Sequence, residues 1–194
     1  MGIGKIELSE AQGVAQRVLK HISPAMERIE VAGSIRRGKP VVGDIELVGI
    51  PSNRARLIRL LGETGAHIKP GVPGAVPWDP KEDAKYMRVR LTEGMNLDLF
   101  LASHENWGGL YLMRTGGATG PDGSSFSGFV PGMFGRWKKL SGGGRMTGCQ
   151  PTTKDGEQLP LREEQDFFDL LGMGFVPPEE RVSKAVIKKY VRGE

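Results

Sequence analysis

Gly33-Ser34-Ile35-Arg36-Arg37-Gly38-Lys39-Pro40-Val41-Val42-Gly43-Asp44-Ile45-Glu46-Leu47-Val48 is the stretch whose reading decides the fold. Its second half opens a strand over residues 44–50 in which Ile45 and Leu47 fall on one side and Asp44, Glu46 and Val48 on the other. Asp44 and Glu46 therefore leave the same face, with Cα atoms roughly 6.6 Å apart. A solvated strand face turned outward can look the same, so the acids need company before they mean chemistry. The first half supplies some. Residues 28–32 read as a strand ending at Gly33-Ser34, followed by a polar loop over residues 35–43 that carries Arg36, Arg37 and Lys39. Backbone N–H groups and a hydroxyl at Gly33-Ser34, with the Arg37 guanidinium, suit phosphate oxygens. Gly33, Ser34, Arg37 and Gly43 are the candidate triphosphate ligands.

A third acid lies further on. Residues 86–91 and 95–102 read as a hairpin across Thr92-Glu93-Gly94, and in its second arm Leu97, Leu99 and Leu101 alternate with Asn96, Asp98 and Phe100. A charge in so apolar a strand is costly unless a metal, a proton or solvent meets it. If this strand lies beside the first, Asp44, Glu46 and Asp98 form a carboxylate triad suited to two Mg2+ ions, with Mn2+ an alternative. Such ions would activate an acceptor hydroxyl against an α-phosphorus and hold the triphosphate and its leaving pyrophosphate. Asp44 and Glu46 would bridge the ions; Asp98 would serve the one at the hydroxyl and is the candidate general base.

Outside this centre the spacing predicts a helix over residues 9–22, capped by Ser9 with Gln12 as reciprocal partner and packing through Val14, Ala15, Val18, Leu19 and Ile22. A helix over 53–61 ends at Gly62, and 64–80 is a Gly- and Pro-rich excursion. A short helix from 103 or 105 to 114 packs through Trp107, Leu110 and Tyr111. Residues 116–148 are glycine-rich and expected to be mobile in part. They hold Phe126, Phe129, Phe134 and Trp137 with the basic set Arg136, Lys138, Lys139 and Arg145. Helices follow over 162–171, packing through Phe167, Phe168, Leu170 and Leu171, and over 179–190, bearing Lys184 and Lys188. Arg136, Lys138, Lys139, Arg145, Lys184 and Lys188 are the candidate nucleic-acid contacts, whose grip would weaken steeply with salt. For Trp137 and Phe134, core packing is the more ordinary role.

The bulk numbers exclude more than they assign. A chain of 194 residues can bury a real core in one domain, or in a domain with a small second lobe. Lys and Arg number 27 against 23 Asp and Glu, a charge of +4 that permits a polyanionic partner. A single cysteine, Cys149, excludes an internal disulfide framework, and three scattered histidines argue against structural zinc. No signal-peptide pattern and no window of about 20 apolar residues is present. The expectation is a monomer with no membrane partner, cytoplasmic or nucleoid-associated, with a viral gene as an equally open source.

Taken together, Gly33-Ser34, Arg36-Arg37-Gly38 and Gly43-Asp44-Ile45-Glu46 resemble the nucleotidyltransferase signature of family X DNA polymerases, and Asn96-Leu97-Asp98-Leu99-Phe100 resembles the strand bearing that family's third carboxylate. Thr115-Gly116 falls where the family has a Thr-Gly near the nucleotide base and sugar, making Met113, Arg114, Thr115 and Gly116 the implied pocket. Residues 162–172 and 175–181 resemble the family's closing segment. The resemblance implies an α+β fold: an N-terminal packing helix (1–23), a palm with a mixed β-sheet and flanking helices (24–102), and a C-terminal α/β lobe that binds nucleotide and DNA (103–194). It implies a metal-dependent, DNA-directed polymerase acting on a nucleoside triphosphate and primer-template or gapped DNA, with short-gap repair in view. The chain departs from the pattern in three places. About 23 residues precede the palm, so no lyase activity and a weak DNA grip are expected. Met113-Arg114 replaces the family's Tyr-Phe pair, which puts sugar selection in doubt. Glu46 as second carboxylate is shared with transferases acting on RNA ends or small molecules. A template-independent or RNA-end transferase, and a non-catalytic nucleic-acid-binding descendant, are the rival readings.

Overall fold

The alternation that places acids on one side of residues 44–50 places core on the other. The structure, a computed structural model, describes residues 5–64 and 84–193, which fall into two compact units dividing after Ala102. The fold is α+β, a mixed sheet with flanking helices. In chain order the first unit comprises β1 (Ile6–Glu7), α1 (Leu8–Ile22), β2 (Met26–Val31), α2 (Gly33–Arg36), β3 (Val41–Val42), β4 (Asp44–Pro51), α3 (Arg54–Glu63), β5 (Tyr86–Arg90) and β6 (Asn96–Leu101). Its sheet runs β2-β4-β6-β5; β4 and β6 are parallel, and the outer pairings are antiparallel. Ile45 and Leu47 of β4, Leu97, Leu99 and Leu101 of β6, and Met87 and Val89 of β5 share one face. They pack in a single cluster with Ala11, Val14, Ala15, Val18 and Ile22 of α1 and Leu57 and Leu61 of α3. Each buried Val, Leu, Ile or Met side chain here stabilises the unit by about 1.5–3 kcal/mol.

Several boundaries differ from expectation. α1 begins at Leu8, so Ser9 lies inside the first turn and caps nothing; Glu7 precedes the helix and gives no side-chain cap. Leu19 is only partly buried. The loop over 35–43 is more ordered than its composition suggests. α2 follows directly on β2, and β3 pairs with β1 (Ile6 opposite Val42), a ladder too short to show alternation. Asn53 caps α3 by accepting from Arg56 N at 2.9 Å, but Gly62 lies within the helix rather than ending it. The expected excursion over 64–80 lies outside the described residues from 65 onward. In the hairpin turn, Gly94 takes φ +83° and donates to the Leu91 carbonyl at 3.0 Å.

The second unit contains α4 (Trp107–Thr115), α5 (Phe129–Leu140), the hairpin β7 (Arg145–Thr147) with β8 (Gln150–Thr152), α6 (Glu164–Leu170) and α7 (Ile187–Tyr190). Its core gathers Leu112, Phe129, Met133, Trp137, Leu161, Phe167, Phe168, Leu171, Met173 and Val176. Gly108 and Gly109 are required by crowding: a Cβ at Gly108 would overlap the Glu163 backbone, and one at Gly109 the Cys149 carbonyl. The elements of this unit differ from expectation in boundary and burial. α4 starts at Trp107. The glycine-rich 116–148 region contains the twelve-residue α5. Residues 179–190 do not form one helix; 3-10 turns at Pro178–Glu180 and Lys184–Val186 precede the four-residue α7. Leu170, expected inside, is exposed.

Candidate active site

The parallel ladder sets the geometry. Across β4 and β6, Asp44 stands opposite Asn96 and Glu46 opposite Asp98, and across β5 and β6, Arg88 stands opposite Asp98. Paired residues project to the same side, and neighbouring strands lie about 4.8 Å apart. Asp44, Glu46 and Asp98 thus share one face of the two central strands, the face turned from the core. Asp44 and Glu46 are half-buried, whereas Asp98 is 3% exposed.

Asp98 is met by its neighbours on β5. Arg88 donates through Nε to Oδ1 at 2.5 Å and through Nη2 to Oδ2 at 2.7 Å, and the Tyr86 hydroxyl donates to Oδ1 at 2.7 Å. The Tyr86 ring stacks on Phe100 at 4.9 Å between centroids, which steadies that hydroxyl. The hydrogen bond to Asp98 holds the Arg88 guanidinium pKa above its ordinary value, with the charges of Asp98 and Asp44 adding to it. Burial pushes the Asp44 carboxyl above the usual carboxylate range, the Asp98 charge pushes it further, and Arg88 and Arg37 oppose the shift. Arg37 is half-buried; burial lowers its pKa, while Glu46 and Asp44 pull it back up. Three carboxylates and two arginines therefore feel one another on this face.

The Gly33-Ser34 turn abuts the same acids. Ala32 N donates to the Glu46 carbonyl at 2.8 Å, and Gly33 takes φ +62°, where a Cβ would overlap the Glu46 carboxylate. The Ser34 Oγ is buried and has no hydrogen-bond partner among the described residues. A buried hydroxyl left so costs about 1–3 kcal/mol, which an incoming acceptor would recover. Gly43 differs: a Cβ there meets nothing within 4 Å among the described residues, whose packing therefore does not demand a glycine.

The donor set fits hard divalent cations, being all carboxylate and sharing one face, and the mutual repulsion recorded at Asp44 is what such cations relieve. Among the described residues, however, no group of three or more His, Cys, Asp or Glu side chains stands arranged as a metal cage. Both oxygens of Asp98 are instead taken up by Arg88. The sequence reading missed Arg88 and Tyr86. The signal was the hairpin register, since pairing outward from the Thr92-Glu93-Gly94 turn sets Arg88 opposite Asp98.

The remaining candidates lie in the second unit. Met113, Arg114 and Thr115 form the last turn of α4, with Thr115 fully buried, and Gly116 N closes the helix on the Leu112 carbonyl at 2.7 Å. Arg136 donates through Nε to the Leu171 carbonyl at 2.8 Å and thus ties α5 to the end of α6. Lys138, Lys139, Arg145, Lys184 and Lys188 are exposed. Trp137 is buried, its Nε1 donating to the Thr152 carbonyl at 3.2 Å, and Phe134 is partly buried in the same core. No helix among the described residues is long and apolar enough to cross a membrane. No curated protein matches the chain. Residues 109–182 match the family model described as DNA polymerase beta thumb. That segment is therefore similar to a thumb domain of the family X polymerases, a DNA-polymerase-related domain.

Proposed function

We propose that the chain is a metal-dependent, DNA-directed nucleotidyltransferase adding deoxynucleotides to a primer 3′-hydroxyl on primer-template or gapped DNA, with short-gap repair its natural use. One observation carries the reading: Asp44, Glu46 and Asp98 share a sheet face beside the Gly33-Ser34 turn, in a chain that also has a segment similar to a polymerase thumb. Asp44, Glu46 and Asp98 would hold two Mg2+ or Mn2+ ions. When bound, such ions supply Lewis-acid activation of the acceptor hydroxyl and charge stabilisation of the departing pyrophosphate.

The chain's own groups do the rest. The Ser34 hydroxyl and the N–H groups of its turn bind triphosphate oxygens, satisfying a donor that is otherwise buried unmade. Arg37 balances the triphosphate from the side of Glu46 and Asp44. At Asp98, Oδ1 accepts two hydrogen bonds and Oδ2 one, two of the three from Arg88; once Arg88 gives way, the carboxylate has positions both for an ion and for the hydroxyl proton. In the second unit, exposed Lys138, Lys139, Arg145, Lys184 and Lys188 meet DNA phosphates.

Extension of a labelled primer tests this, run in parallel on a recessed template, a one-nucleotide gap and an unpaired strand, with deoxy- and ribonucleotides and with Mg2+ or Mn2+. Template-matched addition that disappears in Asp44→Asn and Asp98→Asn is the expected result. Untemplated addition would replace the reading with a terminal transferase. No addition from folded protein would overturn it.

A further inference from the structure

We propose that Arg88 is the resident counter-cation of the carboxylate face: it holds Asp98 while no metal is bound and competes with divalent cations for the same oxygens. The inference rests on the metal-dependent reading above and concerns what must give way before that site can load.

The hydrogen-bond count is the first ground. A carboxylate offers about four lone-pair positions. Asp98 has three in use, two by Arg88 and one by Tyr86. A cation ligated by Asp98 finds one position remaining, on Oδ2, beside the guanidinium group bonded to that atom. Charge is the second ground. Arg88 feels Asp44 as well as Asp98, so a metal held between these acids would be repelled by the guanidinium from close range. Mobility is the third. The Asp98 side chain is 5% exposed and fixed on a central strand, whereas Arg88 is 26% exposed and sits on the edge strand β5. Of the two partners, only Arg88 has solvent into which it can withdraw.

The arrangement has a physical use. A carboxylate as buried as Asp98 would be strongly destabilising if left alone. Arg88 keeps the metal-free face folded, and a divalent ion takes over that duty. Arg88 thus sets the metal concentration at which the face becomes competent, acting through Asp98 as a positioning residue.

Mn2+ titration of the full chain, followed by the loss of the free-ion paramagnetic resonance signal, tests this without reference to turnover. It is paired with thermal denaturation with and without Mn2+. Wild type, Arg88→Gln, Arg88→Lys, Tyr86→Phe and Asp44→Asn are compared. Arg88→Gln should bind Mn2+ at least about tenfold more tightly than wild type. It should melt earlier than wild type without the ion and gain more on its addition. Arg88→Lys, which keeps the charge but loses the two-pronged contact, should fall between. Tyr86→Phe, which withdraws one donor from Oδ1, should tighten binding two- to threefold and carries the test if Arg88→Gln does not fold. Mn2+ binding that needs Asp44 but is equal or weaker in the Arg88 and Tyr86 variants would overturn the role given to Arg88 and leave the metal site standing. Absence of Asp44-dependent binding in every variant would overturn both.

Discussion

Glu164→Ala would leave the Arg181 guanidinium inside the second unit without the carboxylate that balances it. The Arg181 side chain is 0% exposed and that of Glu164 7%; Nη1 donates to Oε1 at 2.7 Å and Nη2 to Oε2 at 3.4 Å. Nε donates to the Val176 carbonyl at 2.8 Å, and the guanidinium carbon lies 5.3 Å and 5.0 Å from the ring centroids of Phe168 and Phe175. Breaking a buried pair on one side costs about 3–5 kcal/mol, a large part of the 5–15 kcal/mol that stabilises an ordinary domain. Removing both charges is different, because the two desolvation penalties leave with them. Glu164→Leu/Arg181→Met should therefore lie within about 2 kcal/mol of wild type. Urea is the denaturant of choice, since a guanidinium salt would screen the charges under study. Trp107 and Trp137 are both buried in the second unit, so tryptophan fluorescence in a Trp78→Phe background reports its unfolding. Gly117 N donates to the Arg181 carbonyl at 2.8 Å, so the segment after Thr115-Gly116 should loosen in the single variant and recover in the double. A single-variant cost below about 1 kcal/mol, or a double variant equal to the sum of the singles, would refute the reasoning.

Two further outcomes follow from the Gly33-Ser34 turn. Ser34→Ala removes a buried hydroxyl that has no partner among the described residues, so urea stability should be unchanged or slightly raised. In primer extension the nucleotide KM should rise roughly two- to tenfold with kcat nearly constant, and an unchanged KM would remove Ser34 from the phosphate site. Gly33→Ala forces a side chain into φ +62°, at about 1–2 kcal/mol, and displaces the Glu46 carboxylate. Extension should fall at least tenfold while circular dichroism stays native, whereas Gly43→Ala, whose Cβ meets nothing among the described residues, should keep wild-type stability.

What the sequence made legible was whatever repeats with a period. β4 and β6 alternate cleanly, so the faces of Asp44, Glu46 and Asp98 could be assigned before any coordinates. α5 was hidden because Gly128, Pro131, Gly132 and Gly135 give it the look of a loop. Yet Pro131 sits in its first turn, where a missing N–H costs nothing, and Phe129, Met133 and Trp137 recur every four residues along the buried side. The break in residues 179–190 has a tertiary cause that no local propensity encodes. Arg181, just after the Pro178–Glu180 turn, points inward to Glu164, a contact that the local sequence does not encode. Arg88 lay in plain view as one of three alternating residues, Tyr86, Arg88 and Arg90, but only the hairpin register sets it against an acid.

That register links the fold to the chemistry. A one-residue slip of β6 against β4 would turn Asp98 into the cluster of Leu57, Leu61 and Val14 and push Leu97 and Leu99 out, so burial alone forbids it. A two-residue slip keeps every side chain on its proper face and would cost the core far less, yet it would set Glu46 against Asn96 or Phe100 and scatter the acids. Hydrophobic patterning does not exclude that error. The contacts across β5 and β6 do: the three-residue turn fixes their pairing, Arg88 grips Asp98 at two points, and Tyr86 stacks on Phe100 two residues further along. The arginine that balances Asp98 is also a contact that tells β6 where to stop. Arg88→Gln should therefore make the amide protons of β5 and β6 exchange faster in metal-free protein. Mn2+ should restore their protection by re-anchoring Asp98 to the acids of β4, and protection that Mn2+ leaves unchanged would separate register from charge.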